Sequence, residues 1–163
     1  MTPAMTRIAL TLVTALTALL VLAPAATAGP RLTAEERAVI KRLNQVRAHH
    51  GLGTLRPAAG LSRAADHHSR DMLVRDFFAH PSSDGTPFDR RVRRFANASM
   101  VGETLAWVPR RRGAAATVVR MWMESASHRA IVLDGRLRRV GVGRRWGTLG
   151  STRTAVVTAD FAS

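Results

Sequence analysis

At 163 residues the chain is one domain's worth, against a usual domain size of about 150, which excludes a multidomain machine. It has no cysteine, which excludes a disulfide framework, thiolate zinc ligation and a cysteine nucleophile. Lys+Arg total 25 against 11 Asp+Glu, a formal charge of +14, and Lys41 is the single lysine; arginine alongside so much alanine reflects a G+C-rich coding sequence as readily as a polyanionic partner.

Met1 to Arg7 carries one positive charge. An apolar run from Ile8 to Leu22 follows, and then Ala26-Thr27-Ala28, the small-x-small pattern of a signal peptidase site. The expected processing is cleavage after Ala28, so that 1–28 is a signal peptide and 29–163 a single domain. The apolar run is about 15 residues, short of the roughly 20 needed to span a bilayer, and no second one follows, so no transmembrane anchor is expected after cleavage. A single arginine before the run does not fit a twin-arginine signal. The expected location is secreted or extracellular, including association with the cell wall.

In the remaining chain, Thr33-Ala34-Glu35-Glu36 reads as a capping box that opens a helix. Val39, Leu43, Val46 and His50 recur on one face of it, and Gly51 is placed to end it. Leu61, Ala64, Ala65, His68 and Met72 mark a second helix reaching about Asp76. Residues 77–85 are loop, since Pro81 disfavours helical angles at His80 and Asp84-Gly85 marks a turn. Thr86-Pro87 restarts a short helix with Phe88, Val92 and Phe95 facing inward. Arg110, Arg111 and Arg112 with Gly113 suggest an inserted loop. Ala114 to Ser127 then reads as one helix on Val118, Trp122 and Ser125, with Val119 and Ala126 in the stripe. The period then changes to two: Val140 and Val142 alternate with glycines, and Ala155, Val157, Ala159 and Phe161 with Val156, Thr158 and Asp160. These predict two antiparallel strands joined by a hairpin over 147–152.

The histidines are the most informative polar residues. His49 and His50 close the first helix, where imidazolium suits the carboxyl-end dipole. His67 and His68 are adjacent on the second, one exposed and one packed, and lack the i, i+4 spacing of two helix-borne ligands. His80 and His128 differ. His80 sits between an aromatic pair and a Pro-Ser-Ser-Asp-Gly turn, and His128 ends a Trp-x-x-Ser-x-x-His stretch. With Glu103 and Glu124 they are candidates for a His/carboxylate metal site. A serine triad from Ser125 or Ser82 is the weaker reading, because Trp-x-x-Ser carries no nucleophile elbow.

Several motifs occur in order: Leu43-Asn44-x-x-Arg47, Gly51-Leu52-x-x-Leu55, Leu61-x-x-Ala64-Ala65, Ser69-x-Asp71-Met72 and Phe78-x-His80-x-Ser82. Gly102-Glu103-x-Leu105-Ala106, Trp122-Met123-x-Ser125-x-x-His128-Arg129 and Val140-Gly141-Val142-Gly143 complete the series. Over about residues 36 to 162 this closely resembles the CAP superfamily, the SCP-like extracellular domain of cysteine-rich secretory, antigen 5 and pathogenesis-related proteins, in its cysteine-free bacterial form. The resemblance implies an α+β fold, a three-layer α-β-α sandwich with a central antiparallel sheet and a cleft of two histidines and two acidic residues. His80 and His128 match the cleft histidines, which in the family can hold zinc or another divalent cation, and Glu103 matches the Gly-Glu-x-Leu-Ala glutamate. Glu124 lies two residues after Trp122, whereas animal members place their second glutamate three after it, where this chain has Ser125. Asn44 and Arg47 are expected to bond to loops or sheet, Trp122 to fill core, and Gly141 and Gly143 to permit close strand packing.

Three functions stay open. One is a secreted binding module whose cleft and metal recognise an extracellular lipid, glycan or cell-wall ligand. Another is a metal-dependent hydrolase, a peptidase or cell-wall-active enzyme, with Glu103 as base on metal-bound water; Glu103 is alternatively a partner that orients one histidine. The third is a cationic adhesin to anionic wall polymer or membrane surfaces. It would use clusters at Arg90, Arg91, Arg93 and Arg94, at Arg110 to Arg112, and at Arg136, Arg138 and Arg139. No reader motif or base-stacking aromatic array supports a specific nucleic-acid partner.

Overall fold

The computed structural model describes residues 32–109 and 115–163. The expected signal peptide, 1–28, and the Arg110–Arg112 cluster lie outside the described residues. Helix α1 spans Ala34–His49 and opens on the capping box: the Thr33 amide donates to Glu36 Oε2 at 2.7 Å and the Glu36 amide to Thr33 Oγ1 at 3.2 Å. Its buried inner face includes Val39, Ile40, Leu43 and Arg47, and Val46 is half-buried against the same core, whereas His50 is exposed and lies outside the stripe. Strand β1, Arg56–Pro57, precedes helix α2, Ala59–Arg75, which Asp76 ends in the left-handed conformation (φ 53°). Helix α3, Phe88–Arg93, starts after Pro87, and strand β2 covers Val101–Pro109.

The expected single helix over 114–127 is two. Helix α4, Ala115–Glu124, ends at Ser125, whose extended backbone (φ −89°, ψ 121°) starts helix α5, Ala126–Val132. Ser125 serves both helices: its amide donates to the Met121 carbonyl, and its carbonyl accepts from the Arg129 amide at 2.8 Å. Serine tolerates this extended cap conformation readily. The break exposes Ala126 and places His128 in the first turn of α5.

The predicted hairpin is present as β3, Arg139–Leu149, and β4, Thr152–Ala162, turning at Gly150 (φ 57°). The four-stranded sheet has the order β1-β3-β4-β2, antiparallel apart from the short parallel β1–β3 pairing. It is the middle layer of a three-layer α-β-α sandwich. Successive residues of a strand face opposite sides. Ala155, Val157, Ala159 and Phe161 join Leu43, Val118 and Trp122 on the α1/α4 side. Val156 meets Met72, and Ala162 meets Leu61 and Val92, on the α2/α3 side. Strand β4 is thus buried on both faces.

The α2 layer lies very close to the sheet. A Cβ on Gly141 would sit 2.0 Å from the Ser62 amide nitrogen, and one on Gly143 2.2 Å from that of Asp66. These glycines therefore admit the helix rather than a neighbouring strand. Ser69 Oγ fastens this contact, 3.0 Å from the Gly143 carbonyl and 2.9 Å from Thr158 Oγ1. On the far side, Arg47 is 1% exposed and donates to the carbonyls of Gly53, Val132, Asp134 and Leu137, while Asn44 bonds both backbone polar groups of Leu55. Both perform the bracing expected of them.

Candidate functional site

The site forms on the α2/α3 side, where β2 carries Glu103 beneath the loop between α2 and α3. Glu103 is 1% exposed. Its Oε1 lies 2.8 Å from His80 Nδ1, and its Oε2 accepts from Arg91 Nη2. Arg91 also donates through Nη1 to the His80 carbonyl at 2.9 Å and to Ser82 Oγ at 3.0 Å, so one guanidinium fixes both the carboxylate and the loop that carries the histidine. The Ser82 amide closes the loop by donating to the Thr86 carbonyl at 2.9 Å, and Asp71 on α2 tethers Ser83. His80 is thereby held from both sides, by its backbone and by its ring.

Glu103, held by Arg91, is the acceptor placed for a proton on His80 Nδ1. The His80 side chain is 47% exposed, and with Nδ1 on Glu103 its Nε2 is the nitrogen left to other partners. His128 comes from the first turn of α5; its ring centroid is 6.1 Å from that of His80. Burial, and next the neighbouring His80, push His128 below the usual imidazole value, which favours the neutral form. His80, Glu103 and His128 thus lie side by side. Glu124 is elsewhere: its side chain is 69% exposed on α4 and pairs with Arg120 at 3.8 Å. The groups acting on His128 are His80 and Glu103.

Two residues of the site were not read from the sequence. Arg91 was counted in an exposed cationic cluster, yet it is buried against Glu103. Asp160 was taken as one position of an alternating strand; it is fully buried, directly opposite Glu103 across the β2–β4 pair. Burial and the Glu103 charge raise its carboxyl well above the usual value. The arginine clusters are partly consumed in other ways too, since Arg93 of the same cluster binds Asp89, Arg136 binds Asp134, and Arg139 binds the Asn97 and Ser163 carbonyls. His68 is the packed member of its pair, with Nε2 2.9 Å from the Ala79 carbonyl, and His67 is exposed.

A groove of about 470 Å³ adjoins the site and shares Arg91 and Ser82 with it; Val74 and Phe95 give it apolar wall, and Arg70, Arg75 and Arg94 give it charge. Among the described residues, no helix is long and apolar enough to cross a membrane.

This arrangement of sheet and covering helices has known counterparts. The cysteine-rich secretory protein (CAP) family matches residues 40–160, and the chain belongs to that family. It is 31% identical over 113 residues to the uncharacterized protein YkwD of Bacillus subtilis strain 168, covering 69% of this chain and 43% of that protein. It is 30% identical over 112 residues to the uncharacterized membrane protein YlbC of the same strain, covering 68% of this chain and 32% of YlbC. The chain therefore spans less than half the length of either relative. In fold it is similar to an SCP-domain extracellular protein of Bacillus anthracis strain Ames, with TM-score 0.67 and 22% identity over 78% of this chain and 40% of that one. It is also similar to an outer surface protein of Borrelia burgdorferi, with TM-score 0.66 and 18% identity over 83% of this chain and 99% of that one.

Proposed function

We propose that the protein is an exported CAP-domain binding module whose cleft holds a divalent cation between His80 and His128, beside a groove that takes an extracellular lipid, glycan or cell-wall ligand. The observation that carries this reading is the 2.8 Å contact of His80 Nδ1 with a buried Glu103, opposite His128. A carboxylate on one imidazole nitrogen is the usual means of presenting the other to a metal, and a neutral His128 is the form that ligates. Two imidazoles are the donors on offer, since among the described residues no group of three or more His, Asp or Glu is placed to hold an ion; zinc or a similar ion would draw the rest of its coordination from water or ligand. Such an ion would supply Lewis acidity to a bound oxygen.

Glu103 acts here as the group that orients His80. Both of its oxygens are engaged, by His80 and Arg91, which supports this role over that of a base taking a proton from water. The groove volume suits a small ligand or part of a longer one, and its pairing of guanidinium with apolar wall suits an anionic amphiphile or polymer. An extracellular setting agrees with the structural relatives, one an extracellular and one an outer surface protein, and with the export signal expected in 1–28. Isothermal titration of zinc into chelator-treated protein is the test. Saturable one-to-one binding, lost in both His80→Ala and His128→Ala, is expected. Binding that is absent, or unchanged in the variants, overturns the cation site.

A further inference from the structure

We propose that Asp160 is a neutral carboxylic acid whose proton is donated in a hydrogen bond to Glu103, and that this bond positions the Glu103 carboxylate for His80. Asp160 on β4 is directly opposite Glu103 on β2 and Gly141 on β3. Directly opposed residues of an antiparallel pair project on the same face, with Cβ atoms about 5 Å apart. The two carboxyls therefore share a space roofed by α2 and α3, and Gly141 contributes no side chain to it. Asp160 has no exposed surface. Among the described residues neither of its carboxyl oxygens meets a donor, and the side chain directly opposite it across the strand pair is Glu103.

Two ionised carboxylates in that position would face each other with no proton between them, each far from water. A single proton turns the contact from repulsion into a charge-assisted hydrogen bond. Its location follows from the remaining partners. Glu103 accepts from Arg91 and from His80, both of which favour its ionised form, whereas Asp160 has no cation of its own. The proton therefore resides on Asp160. The charges then close: Arg91 balances Glu103, and ionising Asp160 would leave one buried negative charge uncompensated. Glu103 from β2 and Arg91 from α3 are the charged groups that act on Asp160, with Glu103 the stronger. His68 on α2, on which the same Glu103 and Arg91 act, is held towards its neutral form by burial. Asp160 is thus a positioning residue, bonding the carboxylate that in turn bonds His80.

The test uses metal-free protein, so its outcome is separate from that of zinc binding. With aspartate carboxyls labelled by carbon-13, one of the seven aspartates should keep the chemical shift of a protonated carboxyl at neutral pH; seven ionised signals overturn the proposal. Denaturation of wild type and Asp160→Asn across about pH 5 to 7 gives a second readout. The folded wild type keeps a proton that its unfolded chain releases, so its unfolding constant relative to the variant should rise about tenfold per pH unit. A flat ratio overturns the proposal, and if the variant does not fold the labelled wild type still decides. Nitrogen-15 spectra of His80 test the positioning: the Nδ1–H tautomer should persist in Asp160→Asn, which keeps a donor, and become mixed in Asp160→Leu, or in Asp160→Ala if leucine does not pack. Identical tautomers in all of them overturn the positioning role.

Discussion

Replacing Arg91 with leucine should be among the most damaging single changes at the site. The Arg91 side chain is 7% exposed and its guanidinium donates to three acceptors: Glu103 Oε2, the His80 carbonyl and Ser82 Oγ. Leucine restores some packing volume but leaves the Glu103 carboxylate buried without its cation. Removing one partner of a buried ion pair costs about 3–5 kcal/mol. Against a total stability of about 5–15 kcal/mol this is a large fraction, detectable as a lowered urea midpoint and a Tm fall of about 10 °C or more. Urea unfolding at neutral pH, followed by circular dichroism, measures it. The companion Arg91→Leu/Glu103→Gln variant removes the stranded charge and should recover at least about 1 kcal/mol relative to Arg91→Leu. A loss below about 1 kcal/mol, or a double variant worse than the single one, would refute the view that Glu103 is ionised and held by Arg91.

Gly141→Ala should prevent folding or cost at least about 3 kcal/mol, because its Cβ meets the backbone of Leu61 and Ser62 rather than a side chain that can move. Gly53→Ala, with nothing within 4 Å, should be within about 0.5 kcal/mol of wild type by the same denaturation assay. Asp134, whose carboxyl is held down to about 2 by hydrogen bonds from Arg136, contributes stability that is present above its unfolded value of 3.8 and lost as pH falls through about 2. Screening at this partly exposed pair limits the effect, so Asp134→Asn should cost up to about 1 kcal/mol at neutral pH and nothing in strong acid. Glu124→Ala should leave zinc affinity unchanged and alter stability by no more than about 0.5 kcal/mol, since its ion-pair partner among the described residues is the exposed Arg120.

Much of the fold was legible where one local signal suffices. The Thr33/Glu36 capping box, the inner face of α2 and the alternation in β3 and β4 all gave their elements close to the observed bounds. Strand β2 was not read as a strand, because Gly102, Glu103 and Thr104 interrupt any apolar alternation and their burial depends on helices distant in sequence. The break at Ser125 was hidden because Val118, Trp122 and Ser125 fit one helical period whether or not the backbone bends. His80, Glu103 and His128 were found through family motifs, since a separation of 47 residues between the histidines is no pattern by itself. Arg91 was concealed in a run of arginines at 90, 91, 93 and 94, of which only one is drawn under the loop by Glu103. Asp160 resembled an outward polar position, and only the covering of β4 on both faces makes it a buried acid.

The most direct measurement is residue-resolved nitrogen-15 spectroscopy of the six histidines during a zinc titration of the metal-free protein. Before zinc, His80 should carry its proton on Nδ1; at one equivalent, the signals of His80 and His128 should move together while those of His49, His50 and His67 stay. A proton on Nε2 of His80, or zinc acting on the three exposed histidines instead, would contradict the cleft as a divalent-cation site.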